Sequence, residues 1–80
     1  MELDEFKRKW NETGGISGIR VIVFNGGSIY ANTMLINTTI SQYRNMNRFN
    51  QYYEVTLYRN TGGVSIDVAN IRLDKIKEVH

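Results

Sequence analysis

Apolar and polar positions change their spacing along this chain in a way that divides it into elements. In residues 2–12, Leu3, Phe6 and Trp10 recur at intervals of three and four, so they share one face of a short amphipathic helix. Glu2, Asp4 and Glu5 suit the positive N-terminal end of such a helix, Lys7, Arg8 and Lys9 suit its later turns, and Gly14-Gly15 stops it. From Gly18 onward the spacing becomes that of strands. Ile19–Phe24 is a β-branched run ending at Asn25-Gly26-Gly27-Ser28, which is hairpin punctuation, and Ile29-Tyr30-Ala31 begins the return. Met34, Ile36, Thr38 and Ile40 alternate with Leu35, Asn37, Thr39 and Ser41, so 29–41 reads as one long bent strand or two short ones.

Residues 42–51 show no period and contain three asparagines, which predicts a loop crossing the domain. In 52–59, Tyr53, Val55, Leu57 and Arg59 fall on one face and Tyr52, Glu54, Thr56 and Tyr58 on the other. Asn60-Thr61-Gly62-Gly63 turns this strand into Val64–Val68, whose apolar residues alternate. Within 71–79, Ile71, Leu73 and Val79 fit alternation while Ile76 and Val79 fit a helical turn, so a short strand entered through one turn is expected. Both halves build a strand, a Gly-Gly turn and a strand, an echo that strengthens both hairpin assignments more than it argues for duplication.

The expected fold is therefore α+β and mostly β, within a single domain over 1–80. It has a helix at 1–12, a first hairpin and its extension at 18–41, a loop at 42–51, and a second hairpin with a last strand at 52–79. The helix packs through Phe6 and Trp10 on a strongly bent antiparallel sheet or small open barrel of about five strands. The spacing is similar in architecture to SH3-like or Sm-like barrels, with no motif of either. Eighty residues suit one core, and 41% hydrophobic content with one Trp, three Phe and five Tyr is enough to fill it without a metal clamp.

Charge and chemistry narrow the function. The chain has no cysteine, which removes disulfides, thiolate catalysis and cysteine-held metals and suits a reducing, cytoplasmic setting. Its single histidine, His80, is a terminal residue expected to be a solvated tail. Asp67, Asp74 and Glu54 are expected to pair across the sheet with Arg59, Arg72 or Lys75 rather than to form a carboxylate site. No enzyme, cofactor or metal centre is expected. The glycine pairs match no phosphate-binding loop and read as turns.

The net charge is +2, and the excess lies in the centre as arginine: residues 13–59 carry Arg20, Arg44, Arg48 and Arg59 against Glu54 alone. The one segment whose composition rises above scaffold is 43–53, where Tyr43, Arg44, Arg48, Phe49 and Tyr52 interleave aromatic and cationic side chains with amides. That mixture suits a protein interface. It also suits stacking on single-stranded nucleic acid, with Arg20 and Arg59 assisting. A third reading places Tyr43, Met46, Phe49 and Tyr53 inward as core plugs. No proline blunts the sheet edges, and unless Lys75 and Lys77 protect the C-terminal edge, self-association as a homodimer or small ring follows naturally. The expected function is a small non-enzymatic protein-interaction module, of the accessory kind carried by phages or mobile elements. The alternative is a single-stranded nucleic-acid-binding protein. No membrane or small-molecule partner is indicated.

Overall fold

A computed structural model of the chain describes residues 1–42 and 49–80. One helix, α1 (Leu3–Glu12), is followed by strands β1 (Arg20–Phe24), β2 (Gly27–Ala31), β3 (Thr33–Gln42), β4 (Phe49–Thr61) and β5 (Val64–Arg72), a single 3-10 turn (Leu73–Lys75) and β6 (Ile76–Val79). The fold is thus mostly β with one short N-terminal helix. The strands form two antiparallel three-stranded sheets, ordered β2-β1-β6 and β3-β4-β5.

The two sheets are joined by a bend at a single residue, Asn32, between β2 and β3. Its backbone N–H donates to the Tyr58 carbonyl at 3.0 Å. Its side chain imitates a further rung of the ladder, Nδ2 donating to the Asn60 carbonyl at 2.7 Å while Oδ1 accepts from the Asn60 N–H at 2.8 Å. Two backbone groups that the bend would leave unpaired are satisfied by one amide. Replacing Asn32→Ala should cost about 1–2 kcal/mol, since both hydrogen bonds to Asn60 are lost, together with the exposed one that Oδ1 accepts from Thr33 Oγ1. Thermal unfolding would register this as a lowering of Tm by roughly 5–10 °C.

The core sits where the inner faces of both sheets meet the helix. Phe6, Trp10, Ile22, Ala31, Val55, Leu57, Leu73, Ile76 and Val79 are buried. Alternation explains the sheet contribution, because Val55 and Leu57 face inward opposite Ile36 and Met34 on one side and Ile71 and Ala69 on the other. Phe6 and Trp10 supply the helix contribution, with ring centroids 6.1 Å apart. Gly62 and Gly63 both take positive φ in the β4–β5 turn, the conformation that matches the twist of a tight hairpin.

Three expectations change. The segment 42–51, expected to be a loop, is ladder at both ends: Gln42 pairs with Phe49, Ser41 with Asn50 and Ile40 with Gln51. Residues 43–48 lie outside the described residues. His80, expected to be a solvated tail, exchanges backbone hydrogen bonds with Val21 at 2.8 and 2.9 Å, which prolongs the β1–β6 ladder by one rung. Its imidazole stays exposed, 2.8 Å from Glu78. Finally, in place of one bent sheet or open barrel of about five strands, six strands form two three-stranded sheets, and no closed barrel forms among the described residues.

Candidate functional site

Of the residues that composition singled out, Tyr43, Arg44 and Arg48 lie outside the described residues, as does Met46. Phe49 is placed as the first residue of β4, in register with Gln42. Tyr52 is described fully. It lies on the outward face of β4 opposite Thr39, half-buried, with the Arg72 guanidinium 4.3 Å above its ring. Arg72 also donates from Nη2 to Asp74 Oδ2 at 2.9 Å. Tyr53 faces the other way and packs against the core, as its place in the alternation requires.

Register shows why a hollow forms beside these tyrosines. Strand β4 stays paired with β3 from Tyr58 down to Phe49, but β5 reaches only as far as Arg72, opposite Glu54. There β5 turns away into the 3-10 turn. Gln51, Tyr52 and Tyr53 are therefore paired on the β3 side, and no described strand lies along their other side. A cavity of about 360 Å³ occupies that place, between Glu2 and Leu3 of the helix start, Tyr52 and Tyr53, and Arg72 and Asp74.

The outward face of the second sheet carries a connected polar chain. Asn37 Nδ2 donates to Thr56 Oγ1 at 3.3 Å, Thr56 Oγ1 to Asn70 Oδ1 at 3.4 Å, and Asn70 Nδ2 to Glu54 Oε2 at 2.8 Å. Glu54 thus finds an amide rather than the guanidinium expected of it, although Arg72 is its cross-strand neighbour. Asp74 takes the Arg72 guanidinium, and Asp67 faces Tyr58. Among the described residues no three His, Asp or Glu side chains are gathered to hold a metal.

The two central arginines expected to help bind nucleic acid are engaged elsewhere. Arg20 lies over the Trp10 ring at 4.3 Å and donates from Nε and Nη2 to the Trp10 carbonyl at 3.1 and 2.9 Å, and from Nη1 to the Gly18 carbonyl at 2.6 Å. It ties the end of the helix to the first strand. Sequence reading missed this role because carbonyl partners leave no mark in residue identity. Gly14 makes room for it: a Cβ there would meet the Arg20 guanidinium carbon at 2.7 Å, on a backbone already at φ +95°. Arg59 donates from Nε to the Tyr30 carbonyl at 3.2 Å and so bridges the two sheets.

The free edge of β5 is the other notable surface. Val64 and Ile66 lie on the same side as the core residues of β4, in register with Thr61 and Arg59, but beyond the end of the core. They are 61% and 60% exposed. A shift of register between Leu57 and Tyr58 leaves Val68 as the extra residue of β5 and bends the strand there. Among the described residues, no helix is long and apolar enough to cross a membrane. No protein-family model matches the chain, and neither a curated protein nor a solved structure does so.

Proposed function

We propose that this domain is a non-enzymatic interaction module that pairs through a sheet edge with a second copy of itself or with another protein. The observation that carries this reading is the β5 edge. It spans nine residues, has no neighbouring strand on its outer side among the described residues, contains no proline, and ends in two exposed β-branched residues, Val64 and Ile66. Unpaired strand edges recruit further strands unless charge or proline blocks them. The 43–53 segment, with Tyr43, Arg44, Arg48, Phe49 and Tyr52, adds aromatic and cationic side chains to the contact. On this reading the architecture is an open SH3-like or Sm-like barrel, supported by the single-residue bend at Asn32 that carries one strand path through both sheets. A homodimer or small ring, working in the cytoplasm, is the resulting assembly.

Light scattering coupled to size-exclusion chromatography tests it, at low and high salt, with and without a mixed single-stranded oligonucleotide. The expected result is an oligomer that ignores the oligonucleotide and becomes monomeric when Val64→Lys and Ile66→Lys are combined, with the circular dichroism spectrum unchanged. A monomer that shifts with oligonucleotide at low salt and releases it at high salt would replace this reading with nucleic-acid binding through the 43–53 segment.

A further inference from the structure

The free edge of β5 also defines its own partner and register, and this step rests on the edge-pairing reading above. We infer that β5 joins the β5 of a second copy of this chain, antiparallel to it, about a two-fold axis that passes between Val68 and Ala69.

Three observations converge on this. The first is the order of faces along the strand. The register with β4 puts Val64, Ile66, Ala69 and Ile71 on the inner face and Ser65, Asp67, Asn70 and Arg72 on the outer one, because Val68 is extra and shifts the alternation by one residue. Strands joined in one sheet set inner residues opposite inner ones. An axis between Val68 and Ala69 does this along the strand: Ile66 meets the partner's Ile71, Asp67 the partner's Asn70, and Ser65 the partner's Arg72. Sliding one copy by a single residue sets inner residues against outer ones, and a parallel arrangement about a two-fold turns the two inner faces to opposite sides of the joint sheet. The second is charge. Asp67 and Arg72 are the only charged residues of β5. In this register Asp67 lies beside an amide and diagonal to the partner's Arg72, a guanidinium whose bond to Asp74 uses Nη2 alone. The other register that matches faces, centred between Asp67 and Val68, brings two Asp67 carboxylates together at the axis. The third is apolar surface. Ile66, 60% exposed, comes to lie beside the partner's Ile71, a residue that packs against the core, so one inner face runs across the joint sheet. A contact that uses the same edge of both copies closes at two, which makes a dimer and not a ring.

The chain has no cysteine, so single introduced cysteines test the register directly. Asp67→Cys and Asn70→Cys proteins, both altered at exposed positions, are mixed, oxidised and resolved by mass, with light scattering on the wild type alongside. The mixed disulfide is expected to exceed either like-with-like disulfide by at least about tenfold. Like positions stand three residues apart along the ladder, 67 being opposite 70, which is about 10 Å and beyond a disulfide's Cα reach of about 7 Å. Ser65→Cys, which stands opposite position 72 and far from its own copy, should form none. A wild-type dimer that gives no mixed product, or in which Asp67→Cys links to itself, overturns the inference and leaves edge pairing standing. A monomeric wild type, or a dimer that survives the combined Val64→Lys and Ile66→Lys changes, overturns the edge reading itself and the register with it.

Discussion

Replacing Phe6→Ala should abolish cooperative folding or lower Tm by about 20 °C. Phe6 has no exposed surface and belongs to the one cluster that joins α1 to both sheets. Truncating a fully buried Phe typically costs about 3–5 kcal/mol, combining lost transfer energy with the cavity left behind. A domain of this size has stability near the low end of about 5–15 kcal/mol, so one such cavity removes most of it. The effect is concentrated because α1 is only ten residues long. A helix this short is marginal by itself and exists because Phe6 and Trp10 are packed. Phe6→Leu should cost much less, roughly 1–1.5 kcal/mol, since most of the volume is retained. Urea unfolding followed by tryptophan fluorescence measures both, because Trp10 lies one turn away on the same face. Equal midpoints for Phe6→Ala and the wild type would mean that the helix is not part of the cooperative unit.

The second large effect is expected at Arg20. Its guanidinium makes three hydrogen bonds to two carbonyls and lies over an indole ring, in a half-buried setting. The Trp10 carbonyl it reaches is one of those that a helix end leaves without an intrahelical partner, and Thr13 Oγ1 supports the same cap at 3.2 Å from Trp10 and 2.8 Å from Lys9. Arg20→Ala removes all of this together and should cost about 2–3 kcal/mol. Arg20→Lys should recover less than half, because an ammonium cannot lie flat on the ring while reaching two carbonyls in a fixed fork. If lysine restored the wild-type midpoint, positive charge alone would be the contribution and the geometry would be incidental.

Arg20 also illustrates what a sequence conveys and what it withholds. Period-two alternation marked the two faces of β4 correctly, because burial on one side of a sheet imposes that pattern on residue type. The Gly-Gly turns were legible for a similar local reason, since positive φ selects glycine. The turn before β6 showed as a clash of two periods at Ile76 and Val79, and the structure contains both a 3-10 turn and a strand there. What escaped were features set by backbone pairing. Gln42, Phe49, Asn50 and Gln51 extend a ladder, yet hydrogen bonds between main chains demand no alternation, so the stretch reads as a loop. His80 pairs with Val21 in the same way. Val64 and Ile66 were misleading in the opposite sense: their alternation announces an apolar face, but periodicity does not reveal whether the core extends that far. The hollow at Tyr52 was half visible. Composition drew attention to the tyrosine, whereas its neighbour Arg72, some twenty residues later, arrives only through the β4–β5 register.

The arrangement of the two sheets also divides the molecule by the distance along the chain over which contacts are made. The β3-β4-β5 sheet is a meander of adjacent strands, so each of its ladders closes a short loop and forms early at small entropic cost. The other sheet needs Ile22 to find Val79 and Val21 to find His80, across more than two thirds of the chain, and only then do Leu73 and Ile76 present the carbonyls that receive the Met1 nitrogen, each at 3.1 Å. Folding is therefore expected to be polarised, with the meander structured in the transition state and the helix, β1 and β6 locking afterwards as one unit. Until that late step, β4 and β5 present their apolar inner face to water, and the interval between the two events is when this chain is most exposed to aggregation.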